Sequence, residues 1–269
     1  MDMTEHKAAS ATPSATASGP TAAAFNLMPP ADLPVHAAEL LTAWRELRQR
    51  SLQLVAGLEP EDLNLQGAVE ASPAKWHLAH TSWFFETFLL ATQPDYRWHQ
   101  PAFCELFNSY YNGIGEQYSR PLRHLLSRPT VAEVLVYREH IERQLADMLH
   151  DLVSVGSNNA RLSESLELLR LGMNHEQQHQ ELLLTDLKHA FSHNPLAPPL
   201  GEAAPTQPDP GALQWTKFAA GMISIGADPA NGFCFDNETP PHRHILNQDF
   251  ALANRPISNG EYLQFMADD

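Results

Sequence analysis

The fold is decided by the stretch Gly172-Met173-Asn174-His175-Glu176-Gln177-Gln178-His179-Gln180-Glu181-Leu182-Leu183-Leu184-Thr185-Asp186. It lies in a proline-free run from Leu162 to His193, rich in Leu, Glu and Gln, residues that lose little freedom in a helix. The run therefore predicts one long helix, on which His175 and His179 stand at i and i+4, stacked on one face a turn apart. That spacing lets one ion take two nitrogens from a single rigid element. Asp186, seven residues past His179, returns to the same face and is placed to orient a histidine. Glu181 sits about 200° round from His179 and is expected to stay out of contact with an ion.

Upstream, Trp76-His77-Leu78-Ala79-His80 offers a second histidine cluster in an apolar run. Ser72 is a candidate cap and Pro73 suits the first helical position, where a missing N–H costs nothing. This helix is expected to run through Trp76, His80, Trp83, Phe84, Phe88 and Leu89, with Trp76, Trp83, Phe84 and Phe85 packing the core, and to stop before Pro94. His77 and His80, at i and i+3, both face one side, and spacing alone does not say which of them binds. One is a ligand and the other supports a ligand through a hydrogen bond. The prediction is a centre of three histidines, two from the later helix and one from the earlier. Three neutral imidazoles suit zinc, iron, nickel or copper alike.

Two other readings of the motif compete. One is a pair of histidines with no metal. The other is a zinc protease of the H-E-x-x-H kind, with Glu176 as general base. The two glutamines between the histidines, and the lack of a further histidine at the downstream spacing of those enzymes, weigh against the protease.

Two further amphipathic helices are predicted. The first, from about Leu33 to Leu58, carries Leu40, Leu41, Trp44, Leu47, Leu52, Leu54 and Val55 and ends at Gly57 before Pro60. The other starts at Thr130, carries Val134, Leu135, Tyr137, Ile141, Leu145, Met148, Leu149 and Leu152, and closes at Gly156. Four such helices make a four-helix bundle, mainly α, with ligands projecting inward. The connection from Asp95 to Pro129 holds Phe107-Asn108-Ser109-Tyr110-Tyr111-Asn112-Gly113 and Arg120-Pro121-Leu122-Arg123-His124, and its length suggests function.

The domain plan has four parts. Residues 1–33 form a disordered Ala/Ser/Thr/Pro tail, residues 34–193 the bundle with the metal site, and residues 194–212, with six prolines, a linker. In 213–269 the runs Met222–Gly226, Phe233–Asp236 and His244–Leu246 look like strands and Glu261–Met266 like a helix. These 57 residues are too few to close such a mixed domain, which reads as one cut short.

The chain of 269 residues is 43% hydrophobic, enough to bury a core, and no stretch approaches the apolar length of a membrane span. A formal charge of −15 argues against a nucleic-acid partner. The start lacks a secretory pattern, and Cys104 and Cys234 read as reduced thiols, so a cytoplasmic location is expected.

Ser72–Glu86, His175–Leu182 and the tail segments Gly221–Gly226, Phe235–Pro240 and Ile257–Tyr262 together resemble the ergothioneine-biosynthesis sulfoxide synthases of EgtB type. These join a DinB-like bundle to a formylglycine-generating-enzyme (sulfatase-modifying-factor) domain of mixed α+β, C-type-lectin-like fold, and the resemblance covers roughly 36–269. It implies an iron(II) centre held by His80, His175 and His179. The implied reaction joins the sulfur of γ-glutamylcysteine or cysteine to the imidazole of hercynine with O2, leaving a sulfoxide. Such an oxidoreductase has only small-molecule partners and no membrane or nucleic-acid partner. Gln178 matches a position near the histidine substrate, and Arg120 and Arg123 resemble arginines that hold the thiol's carboxylates; His77 and Asp186 keep the supporting places that spacing gives them. The family's catalytic tyrosine is expected beyond Asp269, leaving no catalytic residue assigned here and predicting metal binding with poor turnover. Sibling synthases making selenoneine or ovothiol-type products, a DinB-like zinc-dependent thiol transferase, and an inactive metal-binding fragment are the alternatives.

Overall fold

A computed structural model describes residues 33–109, 113–155, 159–201 and 210–268. The expected disordered tail before Leu33, Tyr110 to Asn112, the helix end at Gly156 and most of the second half of the linker lie outside the described residues. The chain divides into two compact units, residues 1–201 and 202–269.

The first unit is built from α1 (Leu33–Gln53), α2 (Ala74–Phe88), a single turn α3 (Phe103–Leu106), α4 (Val131–Val155) and α5 (Asn159–Ser192). The four long helices are those the apolar periodicity predicts. Helix α2 packs on α4 and α5, and α1 packs on α5 and α4. Fourteen of the fifteen residues of α2 are buried, so it is the central helix and every polar group on it needs a partner inside the protein. Trp44, Trp83, Phe84, Phe85, Tyr137, Ile141, Leu145 and Leu169 fill the core between the helices.

Local chemistry explains the ends. The chain leaves α1 through a turn ending at Gly57, whose φ of +99° is left-handed and free of strain only for glycine. Thr130 and Glu133 form a reciprocal cap on α4: the Glu133 amide donates to Thr130 Oγ1, and Glu133 Oε2 accepts from the Thr130 amide. At α2 the prediction is corrected by one residue. Pro73, rather than Ser72, holds the cap position, and its carbonyl accepts from the Trp76 and His77 amides. Ser72 is otherwise engaged: its hydroxyl accepts from Arg123 Nη1 at 2.8 Å and its amide donates to Asp186 Oδ2 at 2.9 Å.

Helices α2 and α5 approach closely at Gly172. A Cβ there would stand 2.3 Å from Phe85 Cε1 and 3.0 Å from Phe84 Cε1. This contact, one turn before His175, brings the histidine face of α5 against α2.

In the second unit, β1 (Trp215–Phe218) pairs antiparallel with β4 (Phe250–Ala253), and β2 (Gly221–Ile225) with β3 (His242–Leu246). Helix α6 (Asn259–Ala267) is capped by Ser258, with Glu261 reaching back to the Ser258 amide. The strand expected at Phe233–Asp236 is absent. Glu238 Oε2 accepts from the Phe235 amide and Asp236 Oδ1 from the Asn237 amide, and these local bonds favour a tight turn over a ladder. No residue of β1–β4 or α6 is buried, although Trp215, Phe218, Met222, Ile245 and Phe265 are among them.

Candidate metal centre

His80 projects from α2, and His175 and His179 from consecutive turns of α5. Each offers a nitrogen within 4.8 Å of the others. His80 Nε2 lies 3.2 Å from His175 Nε2, and the ring of His179 lies 4.6 Å from those of both His80 and His175. Among the described residues this is the only group of three such side chains close enough to share an ion.

Hydrogen bonds settle which nitrogens carry lone pairs. His80 Nδ1 lies 2.6 Å from the Phe107 carbonyl, which only accepts, so Nδ1 carries the proton and Nε2 faces the cluster as a lone pair. Asp186 Oδ2 accepts from His77 Nε2 at 3.1 Å, which leaves a lone pair on His77 Nδ1. His77 Nδ1 stands 2.8 Å from His179 Nδ1, so His179 donates there and its Nε2 is bare. The series Asp186–His77–His179 thus fixes one tautomer, the arrangement that orients metal-binding histidines. His77 and His80, which spacing did not separate, take different places: His80 in the cluster and His77 behind His179.

All four rings are held neutral. Burial, and then the neighbouring His175, holds His80 well below the ordinary histidine range. Burial and the nearby His80 and His175 do the same to His179. Burial brings His175 down to about 4 and also lowers His77, against the pull of Asp186. Neutral imidazoles are the ligand form.

The residues fit a divalent transition metal. His175 Nδ1 is buried with no hydrogen-bond partner among the described residues. When His175 holds its proton there, its Nε2 lone pair confronts that of His80 at 3.2 Å, an opposition that a shared cation turns into attraction. Three uncharged nitrogens leave the ion its full charge and open positions for anionic or neutral ligands.

The long connection forms one wall of the centre. The Leu106 carbonyl accepts from Trp76 Nε1 at 2.9 Å, beside the Phe107 carbonyl that holds His80. Trp76 and Trp83 stack on opposite sides of the sequence around His80, with ring centroids 4.5 and 5.4 Å away. The Arg123 guanidinium lies 3.4 Å from the centroid of Trp76.

Arg123 is buried, with Nη1 on Ser72 Oγ and Nη2 on Ser109 Oγ, and its charge lowers the proton affinity of His77, His80 and His179. Arg120 is half-buried with Nη1 3.4 Å from the Glu70 carbonyl. Gln178 is exposed on α5, and Glu181 is exposed as expected. Glu176 is the residue whose role the motif obscured. It is buried, and its carboxylate accepts from Ser51, Arg48 and Arg138. Burial pushes its pKa up, but the two arginines and these hydrogen bonds outweigh that and hold it at about 2. A carboxylate so held is a poor proton acceptor, so the protease assignment of Glu176 as general base lacks its base.

Residues 43–183, which carry most of the bundle, match the family described as the DinB superfamily. The chain belongs to the DinB superfamily. The match takes in all three cluster histidines and most of the DinB bundle. The chain is also similar to Ergothioneine biosynthesis protein 1 of Neurospora crassa, at 28% identity over 214 residues, covering 72% of this chain and 23% of the relative. The DinB chain thus spans about a quarter of the length of that curated relative. No helix among the described residues is long and apolar enough to cross a membrane.

Proposed function

We propose that this DinB chain carries the metal centre of a non-haem iron(II), O2-dependent sulfoxide synthase of ergothioneine biosynthesis, joining the sulfur of γ-glutamylcysteine or cysteine to the imidazole of hercynine. The convergence of three neutral imidazoles on one point carries the reading. The name of the Neurospora relative supports the pathway. His80, His175 and His179 would hold the iron, which when bound supplies the redox chemistry that O2 requires.

The chain's own residues do the rest. Asp186 and His77 keep the Nε2 of His179 bare, and the Phe107 carbonyl does the same for His80. Trp76 and Trp83 shield His80 from water. The cation of Arg123, behind Trp76, favours anionic ligands such as a thiolate. In this proposal Gln178 faces the histidine substrate, and Arg120 and Arg123 hold the thiol's carboxylates. For Arg123 that role requires release from Ser72 and Ser109. Residues 213–269 would begin a formylglycine-generating-enzyme-like domain; their unburied apolar side chains support a larger fold around them.

The test is O2 uptake by the iron-loaded chain with hercynine and γ-glutamylcysteine, with mass spectrometry for a sulfoxide product. Slow O2 uptake that needs both substrates and is lost in His80→Ala is the expected result for a chain that spans about a quarter of its curated relative. Thiol transfer by the zinc-loaded chain, with no O2 uptake by the iron form, would move the assignment to a zinc-dependent thiol transferase.

A further inference from the structure

Glu176 stands beside a cluster histidine yet has no part in the chemistry described above. Its Oε1 accepts from Ser51 Oγ at 2.7 Å and Arg138 Nη2 at 3.0 Å, and its Oε2 from Arg48 Nη1 at 3.1 Å. Glu176, Arg48 and Arg138 are each 1% exposed. The two arginines then reach α2. Arg48 Nη2 donates to Ser82 Oγ at 2.8 Å, and Arg138 Nη1 donates to the Leu78 carbonyl at 2.8 Å and to Thr81 Oγ1 at 3.0 Å. Arg48 Nε also meets Glu142 on α4 at 2.8 Å, and Gln180 on α5 donates to the Leu47 carbonyl and Ser51 on α1.

One carboxylate on α5 is therefore bonded to α1 and α4 directly and to α2 through two rigid guanidinium forks. The atoms it reaches on α2 flank His80, at Leu78, Thr81 and Ser82. The residue before it on α5 is His175. A one-residue slip of α5 would turn it by about 100° and move it about 1.5 Å, and these bonds survive no such slip. The network also adjoins the histidine series. Ser51, Thr81, Glu176 and Gln180 line a cavity of about 10 Å³ together with His77 and His179.

We infer that Glu176 is a positioning residue, which with Arg48 and Arg138 fixes the rotation and register of α5 against α2 and so sets the distance from His80 to His175 and His179. The inference rests on the three-histidine centre proposed above. It assigns the glutamate of this H-E-x-x-H segment to holding the ligands in place, where the protease motif would use it as a base. A merely structural ion pair would alter stability and leave the geometry of the bound ion unchanged in the folded protein. A positioning role changes that geometry.

Co2+ is a suitable probe, because its visible bands report ligand geometry and its titration reports affinity. The full chain, Glu176→Gln and Ser51→Ala are titrated anaerobically, with circular dichroism as the measure of folding and His175→Ala marking which bands belong to the centre. Folded Glu176→Gln is expected to bind Co2+ at least about tenfold more weakly, with altered bands. Ser51→Ala, which removes one bond to the carboxylate and no charge, should shift both in the same direction by less. Wild-type affinity and bands in folded Glu176→Gln overturn the inference. If Glu176→Gln does not fold, wild-type behaviour of Ser51→Ala overturns it. No Co2+ bands from the wild-type chain would overturn the centre itself, and the inference with it.

Discussion

Gly172→Ala sets two effects against each other at the α2–α5 contact. In an exposed helix interior the change would stabilise by about 1 kcal/mol, the propensity difference between the two residues. Here the new methyl would lie 2.3 Å from Phe85 Cε1 and 2.9 Å from its Cζ. Phe85 is fully buried and packed edge-on against Trp44 at 5.2 Å, so its ring has no free direction in which to move. Overpacking of this kind costs about 1–3 kcal/mol, and a contact this short belongs at the upper end. The net expectation is a loss of about 1–2 kcal/mol, or roughly 2–8 °C in the melting temperature of a unit of this size. Moving α5 outward also separates His175 from His80 and from Phe84, whose ring lies 4.7 Å from that of His175, so metal affinity should fall too. Thermal melts by circular dichroism, with and without metal, measure both effects. A higher melting temperature with unchanged metal affinity would refute the close approach on which the geometry depends.

Asp186→Ala releases the tautomer of His77 and through it that of His179; metal affinity should drop about 10–100-fold with the helical signal intact, and an unchanged titration would remove the series from the site. Acid should destabilise the metal-free chain in a defined window. Because the folded state binds protons at the buried histidines less readily than the unfolded state, stability is complete above about pH 6.5. It is lost as pH falls toward the folded value of His175, about 4. Stability that stays flat from pH 7 to about 4.5 in chemical denaturation would contradict the lowered values. Glu86→Ala strips the acceptor from the Tyr96 and Tyr137 hydroxyls and from the His99 amide, which ties the long connection to α2. Leaving the buried Tyr137 hydroxyl without it should cost about 3 kcal/mol in denaturant unfolding, and a loss below about 1 kcal/mol would count against the anchor.

What was legible in the sequence followed from local periodicity. The long helices were marked by apolar spacing, and the i, i+4 pair on α5 with a histidine on a second apolar helix was enough to nominate the cluster. Asp186 was legible for the same reason, being two turns from His179 on one face. The choice between His77 and His80 was not, because both face α5 and only their partners, Asp186 for one and the Phe107 carbonyl for the other, distinguish them. The Arg48–Glu176–Arg138 network was invisible, since its members are distant in sequence and a lone arginine on an amphipathic helix normally faces water. Backbone contributions such as the Phe107 and Leu106 carbonyls carry no residue signature at all. Ser72 misled as a cap because tertiary partners claimed its hydroxyl and amide. Phe233–Asp236 misled as a strand because the side chains of Asp236 and Glu238 bond locally.

The central claim, that His80, His175 and His179 form one metal centre, is tested most directly by anaerobic Fe(II) titration of the full chain and of the three single alanine variants. One iron is expected to bind per wild-type chain, with that binding lost in each of the three variants. Wild-type iron affinity in His80→Ala would contradict it, because α2 would then contribute no ligand and the two histidines of α5 would be an isolated pair.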